Sequence, residues 1–425
     1  MKQTVMIIGG GIGGLALAHG LRRAGIPVAV YERSQTRTEW LQGYRIHINP
    51  HGSRALHECL DPAAWQAFLD TVSTGDGGFG FTTERFANLL HISHEDIAVS
   101  PDPAEQHYGV SRISLRQVLL SGLDDVLHLG KTFTRYETTP DGRVTAYFED
   151  GSSATADLLI GADGANSRVR RQLLPHADRI DTGVTAVAGK HRLTESALAR
   201  LPQQLTRDAN LVIPAGRGNL FTAVWRHDRA TVAPDASLPE GFLLDNAADY
   251  TFWAYADASA WFPSDVDGYD GEALTRLILD RTRDWSAELR DLIGGSDPAT
   301  VNVVRIRSAT PVDPWPTGPV TLLGDAIHNM TPMAGIGANT ALRDADLLRR
   351  QLIAVESGQL SQVAAVAEYE RQMRDYGFAA VKQSLRNARQ AASANRFGRT
   401  MFRTVLRTMS AVPPLKRRFA RSFGS

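Results

Sequence analysis

The chain opens on a continuous apolar run, Val5-Met6-Ile7-Ile8, of the kind that fills a parallel strand covered on both faces. Gly9-Gly10-Gly11-Ile12-Gly13-Gly14 follows, after which Leu15, Leu17, Ala18 and Leu21 recur at helical spacing. Gly25-Ile26-Pro27 ends that helix, and Val28-Ala29-Val30-Tyr31 starts a second strand closing on Glu32-Arg33. The pattern predicts a βαβ unit with a right-handed crossover. Residues 44–60 are less regular, and Gly75-Asp76-Gly77-Gly78-Phe79-Gly80 predicts a loop or an excursion into another layer. A helix is expected over 115–127. Residues 143–149, the turn Asp150-Gly151 and residues 156–160 predict a hairpin feeding a buried strand. Over 181–255 the text changes to short aromatic and β-branched runs, which predict a separate, largely antiparallel sheet. Further on, 271–292 reads as helix, 301–306 as strand, and Val320-Thr321-Leu322-Leu323 as another buried parallel strand. From about Ala338 the chain is helical.

A length of 425 residues suggests about two or three domains, or one large interrupted one. With 43% apolar and 22% charged residues the composition is that of an ordinary globular protein. Lys+Arg and Asp+Glu both number 46, which removes any global electrostatic argument for nucleic-acid binding. The single cysteine, Cys59, excludes an internal disulfide or a thiolate metal cluster and suits a reducing compartment. No export signal and no apolar run of about 18 residues is visible, so a soluble, cytoplasmic protein is expected. Charge is nevertheless uneven. No acidic residue follows Asp375, whereas Arg396, Arg399, Arg403 and Arg407 share one helical face and Phe397, Met401, Val405 and Met409 line another. Contact with a membrane surface and docking on the protein's own acidic surface both account for this.

Gly9, Gly11 and Gly14 form a GxGxxG turn, with Ile12 and Gly13 inside it, between a strand and a helix. A pyrophosphate can sit at such a helix N-terminus, and Glu32, at the end of the second strand, can accept both hydroxyls of an adenosine ribose. The turn implies a dinucleotide and does not separate NAD from FAD. Two further segments bear on that choice. Asp157-Leu158-Leu159-Ile160-Gly161-Ala162-Asp163-Gly164-Ala165-Asn166-Ser167-Arg168-Val169-Arg170 places an Asp-Gly pair just after a strand. Gly324-Asp325-Ala326 leads through His328 and Pro332 to Gly335-Ile336-Gly337-Ala338-Asn339, where an aspartate ends a strand and glycines open a helix N-terminus.

On these motifs the chain resembles the aromatic-hydroxylase (class A) family of FAD-dependent monooxygenases over roughly residues 1–60, 105–175 and 300–350. The resemblance implies an α/β fold: a Rossmann-like FAD-binding domain with a parallel central sheet, a mostly antiparallel substrate-binding sheet, and C-terminal helices. It divides the chain into an FAD-binding domain of 1–70, 98–178 and 300–355, a substrate-binding domain of 71–97 and 179–299, and a helical segment of 356–425. Asp163 then braces the flavin pyrophosphate region, Asp325 accepts a ribityl hydroxyl, and Gly335, Gly337, Ala338 and Asn339 bring backbone amides to the flavin ring. Family members have Gln where Ile336 stands. Arg112, in Ser111-Arg112-Ile113-Ser114-Leu115, matches an arginine that reaches FAD, and Arg116 with Leu119 fits the same spacing one turn later. Arg33 follows Glu32 towards the adenosine, while Arg45 matches a position near the mobile flavin and the approach of the nicotinamide cofactor.

Across the antiparallel sheet Phe221, Thr222, Trp225, Arg226, Phe252, Trp253 and Tyr255 alternate sides, so about half of them can face a substrate. Phe221, Thr222, Phe252, Trp253, Tyr255 and Pro332 are the substrate-lining candidates. The implied activity uses NADPH or NADH to reduce FAD. A flavin hydroperoxide then carries one oxygen atom of O2 into an aromatic or conjugated small molecule, in secondary metabolism, by a monomer or homodimer. No catalytic side chain and no metal are required. A flavin halogenase or reductase on the same scaffold and a non-catalytic flavin-binding module are the alternatives. His328 is expected to pack and hydrogen-bond rather than act as a base.

Overall fold

Continuous apolar runs become parallel strands because both of their faces are covered. In the computed structural model, which describes residues 3–36, 45–73, 78–93, 96, 100–226 and 249–422, Val5–Ile8 is wholly buried at the middle of a five-stranded sheet. The order is Val320–Leu322, Leu158–Gly161, Val5–Ile8, Val28–Tyr31, Leu127–His128, and every pairing is parallel. The helix Ile12–Arg23 crosses from the third of these to the fourth and packs against the long helix Gly337–Glu356. A three-stranded antiparallel sheet, Phe133–Thr138, Val144–Phe148 and Ser153–Ala156, leads into the buried strand Leu158–Gly161.

The second large sheet has seven strands in the order Asn302–Ala309, Arg179–Arg192, Tyr250–Ala258, Asn219–Trp225, Ala209–Val212, Phe79–Thr82, Asn88–Ile92. It is antiparallel except where Ala209–Val212 runs parallel to Phe79–Thr82. One face lies under the helices Gly271–Arg281 and Ala287–Gly294, where Val187, Leu220, Trp253 and Tyr255 join Ile278 and Leu292 in a core of their own. The opposite face looks back at the turn Pro332–Ala334 and the helix Gln362–Ala391: Ala186, Ala256 and Ile306 pack with Met333 and Ala388. A two-stranded ribbon, Arg45–Ile48 with Tyr108–Ser111, lies beside the strand Asn219–Trp225. No helix among the described residues is long and apolar enough to cross a membrane.

Three expectations need correction. The helix expected over 115–127 is Arg112–Leu120, because Gly122 adopts φ +74° and releases the chain so that Leu127 can pair with Val30. The single helix over 271–292 is two, parted where Thr282 caps back on Ile278 and Trp285 turns on Thr282. The strand expected at 301–306 spans Asn302–Ala309 and pairs with Arg179–Arg192, so it is the edge of the seven-stranded sheet and not part of the dinucleotide layer. Of the expected loop, Gly75, Asp76 and Gly77 lie outside the described residues, and Gly80 is within the strand Phe79–Thr82. Gly43 and Tyr44 also lie outside them.

Candidate functional site

The glycine turn shows why each missing side chain is needed. Gly9 has φ +111°, and a Cβ there would run into the Ala162 carbonyl. At Gly13 a Cβ would meet Leu323 and at Gly14 the Gly9 carbonyl, so both hold helix to sheet. Gly11 differs: nothing lies within 4 Å of the Cβ position. It is also the N-cap of Ile12–Arg23, with no side chain capping the helix and no acid in its first turn. An open, uncapped helix N-terminus flanked by glycine is a seat for a phosphate group.

Glu32 ends the neighbouring strand 8% exposed. Its Oε2 accepts from the Gly10 N–H at 2.5 Å, and Oε1 accepts from the Ser34 N–H at 2.9 Å and the Ser34 hydroxyl at 2.8 Å. Burial opposes its charge, but these hydrogen bonds and the nearby Arg116 outweigh burial and hold the carboxyl below its usual range. The ionised group keeps acceptor capacity for a ribose hydroxyl. Arg33 next to it is exposed. Of the two arginines at the helix Arg112–Leu120, Arg116 donates from Nε to the Gly10 carbonyl at 3.0 Å, whereas Arg112 stands exposed at the first turn.

Asp163 caps the helix Arg168–Leu173 through Oδ2, which accepts from the N–H of Arg168 at 2.7 Å and of Val169 at 3.3 Å. Its Oδ1 is buried with no partner, and burial raises the carboxyl pKa. A polar atom in that state costs free energy unless a ligand completes it. Arg170, 5% exposed, donates to the carbonyls of Ala177, Ala165 and Ala326. It thereby ties the Asp-Gly segment to the turn that carries Asp325. Gly324 takes φ +65° at that turn and leaves Asp325 exposed at the head of Asp325–His328.

Gly335, at φ +66°, and Gly337 have open space where a Cβ would point, apart from Met330 at 3.6 Å from the latter. The helix Gly337–Glu356 thus begins uncapped by any side chain, with Ile336 as N-cap and Ala338 half-buried. Substituting Ile for Gln at 336 leaves these backbone amides in place. The Asn339 side chain has structural partners: its Oδ1 accepts from the Asn49 N–H and its Nδ2 donates to the His47 carbonyl, both at 2.8 Å, so it clamps the end of the ribbon Arg45–Ile48 to the helix Gly337–Glu356. Arg45 on that ribbon is part-buried, with its guanidinium against Gly109 and its Nε wholly buried without a partner. Burial lowers its pKa, and Tyr250 opposes the shift.

Behind this turn lies a network with no counterpart in the motif reading. His328 Nε2 lies 2.7 Å from Asp344 Oδ2, the same oxygen accepts from the Gly324 N–H at 2.8 Å, and the Tyr376 hydroxyl donates to Oδ1 at 2.5 Å. His328 and Asp344 are both 0% exposed. Burial alone would lower the imidazole pKa, but the Asp344 charge and hydrogen bond raise it overall. His328 is therefore the packing, hydrogen-bonded histidine expected.

The sheet sorts the substrate candidates. Cross-strand partners share a face, so Phe221 opposite Ala254 and Phe252 opposite Ala223 look towards Met333. Their rings lie 6.3 Å apart, Phe79 lies 6.5 Å from Phe221, and Trp225 stacks on Tyr250 at 5.7 Å. Lys190 Nζ sits 4.4 Å from the Tyr250 ring centre. Pro332 is exposed on the turn opposite. Thr222, Trp253 and Tyr255 point the other way, towards the helix-covered core: Thr222 accepts from Asn210, Trp253 Nε1 donates to Ser296 Oγ at 2.6 Å, and Tyr255 packs with Phe262. Phe79, Tyr250 and Lys190 had no motif to announce them. Their common face appears only once the strand register is known.

Comparison with known proteins agrees with this geometry. Residues 7–72 match the NAD(P)-binding Rossmann-like domain, and residues 283–384 match the FAD binding domain. A dual O-methyltransferase/FAD-dependent monooxygenase of Phaeosphaeria nodorum is 32% identical over 375 residues, 80% of this chain; the chain spans only 39% of that relative's length. The FAD-dependent urate hydroxylase of Klebsiella pneumoniae is 31% identical over 388 residues, covering 88% of this chain and 86% of the relative. Among solved structures, a candidate FAD-containing monooxygenase from Photorhabdus luminescens superposes with a TM-score of 0.82 at 40% identity, over 92% of this chain and 99% of that one. Relatives this similar, matched over most of their own length, show that the chain belongs to the family of FAD-dependent monooxygenases.

Proposed function

We propose that the chain is an NAD(P)H-dependent monooxygenase of the cytoplasm that places one oxygen atom of O2 into an electron-rich aromatic or conjugated small molecule. The observation that carries this reading is the meeting of two surfaces: the aromatic face of Phe79, Phe221 and Phe252, and the open turn Pro332–Ala334 that precedes the uncapped helix Gly337–Glu356. FAD is held by Gly11 and the first turn of Ile12–Arg23, by Glu32, by Asp163 and Asp325, and by the amides of Gly337 and Ala338. Arg116 holds the glycine turn in shape, and Arg112, exposed at the head of its helix, would be a further contact to the same cofactor. When bound, FAD supplies the electron transfer from NAD(P)H and the activation of O2. The chain's own residues bind, orient and exclude water. Overall, substrate, O2, NAD(P)H and a proton give oxygenated substrate, NAD(P)+ and water. Residues of the parallel sheet form the FAD-binding domain and those of the seven-stranded sheet the substrate domain.

The uncapped N-terminus of Gly337–Glu356 would favour negative charge on a flavin ring held by its amides. Arg45, a part-buried cation beside Tyr250, is the side chain placed to guide the nicotinamide cofactor or an anionic substrate group. Arg45→Ala is expected to retain FAD and slow its reduction by NAD(P)H, read by stopped-flow bleaching of the flavin band; an unchanged rate removes Arg45 from the reaction. Asp325→Ala is expected to lower the flavin-to-protein ratio without lowering the melting temperature of the flavin-free chain, since its carboxylate is exposed. The activity itself is tested by screening hydroxylated and heterocyclic aromatics for acceleration of NAD(P)H oxidation in air, then following 18O2 into product. One labelled oxygen per product supports the proposal. Oxidation of NAD(P)H that no compound accelerates, with all O2 recovered as peroxide, counts against it.

A further inference from the structure

The two C-terminal helices, Arg396–Ala411 and Pro413–Ser422, bury one side and leave another bare. On the inner side Leu406 and Ala420 are fully buried against Phe81, Leu90 and Ile213 of the seven-stranded sheet. Three cations dock there as well: Arg403 on Glu84 at 3.1 Å, Lys416 on Asp96 at 2.7 Å, and Arg399 on the Gly218 carbonyl at 2.9 Å. Docking on the protein's own acidic surface is thus real, and it accounts for only part of the charge. Arg396, Arg407, Arg417 and Arg418 remain exposed.

The outer side is apolar. Six of the twelve exposed large apolar side chains among the described residues fall within residues 397–415. Phe397 is 78% exposed and Met401 60%, and with Val405 they recur every fourth residue on one face of the helix, while Leu415 on the following helix is 44% exposed. Water is a poor partner for such a ridge. A helix with an outward apolar ridge and arginines along its flank has the form that lies in the interface of a bilayer, apolar side sunk among acyl chains and cations at the headgroups. A second copy of the chain fits less well. A two-fold contact through this ridge would bring the arginine-rich segment of one copy against the same segment of the other, with no acid in it to offset the charge.

We infer that the outer face of these two helices docks on a lipid surface carrying anionic headgroups. The same helices wall the sheet beside Phe79 and Phe81, whose rings lie 5.0 Å apart, so the docked surface adjoins the face proposed for the substrate. An apolar substrate dissolved in the bilayer then has a short path to that face.

The test uses the full chain loaded with FAD, sedimented with vesicles of phosphatidylcholine alone or of phosphatidylcholine with phosphatidylglycerol. The wild type is expected to bind the anionic vesicles at least about tenfold more tightly, from the attraction of four surface arginines. Phe397→Ser with Met401→Ser is expected to abolish binding to both. Arg407→Gln with Arg417→Gln and Arg418→Gln is expected to erase the preference for phosphatidylglycerol. Flavin content and melting temperature should stay at wild-type values in both variants, because these side chains point outward. Failure to pellet with either vesicle, or pelleting that Phe397→Ser with Met401→Ser leaves intact, overturns the inference. So does a dimer, seen by sedimentation velocity without lipid, that the same pair of substitutions dissolves.

Discussion

Asp344→Ala is expected to destabilise the protein by about 3–5 kcal/mol, the cost of stranding a buried charge whose partner has been removed. Three donors lose their acceptor together: the His328 ring, the Tyr376 hydroxyl and the Gly324 amide. His328 and the Gly324 amide are buried and cannot turn to solvent for compensation, whereas Tyr376 is part-buried. The Gly324 amide belongs to the turn that presents Asp325, so flavin retention should fall with stability. The same network predicts a pH dependence. His328 has its folded pKa raised above the unfolded value near 6.5, so its contribution is fully present below that pH and is lost as pH rises through the folded value. Urea midpoints taken at about pH 6 and about pH 9 should therefore differ in the wild type by more than in His328→Gln. Equal differences in the two proteins would assign the alkaline loss to other groups.

Gly11→Val is expected to weaken FAD binding at least about a hundredfold, roughly 2.7 kcal/mol, while the flavin-free chain folds normally. The two halves of that expectation come from one observation. No atom of the protein lies within 4 Å of the Cβ position at Gly11, so the new side chain strains nothing internal, yet it fills the seat at the helix N-terminus. Gly14→Val offers the contrast. There a Cβ would meet the Gly9 carbonyl and the side chain of Ile7, and the fold itself should suffer. Melting curves with and without added FAD separate the cases: Gly11→Val should melt like wild-type apoprotein and gain nothing from FAD. A Gly11→Val protein that purifies with a full complement of flavin would remove the glycine cradle from the account.

The dinucleotide layer was legible because its signals are local. Val5–Ile8, the glycine turn and Glu32 lie within one βαβ unit, and each constrains its neighbours in sequence. Which face of the seven-stranded sheet is left uncovered by its helices was not legible, because the sheet is apolar on both sides. Alternation separated Phe221 and Phe252 from Thr222 and Trp253, but one set faces helices as apolar as the other set's surroundings. Only register decides between them. Asn339 was found through the glycines before it, while its work on Asn49 and His47 crosses some 290 residues that no spacing rule spans. Asp344 was invisible for a related reason: a charge within a helix reads as a solvated position until the helix is known to be covered on that side. The edge strand Asn302–Ala309 went to the wrong layer because a short β-branched run does not say which sheet it joins.

The most direct measurement of the central claim is the visible spectrum of the purified protein, followed in the same cuvette by NADPH and then NADH. Flavin absorption bands are expected, present on purification or gained on incubation with FAD, that one of the nucleotides bleaches and that air restores. A protein that stays colourless after incubation with FAD would contradict that claim.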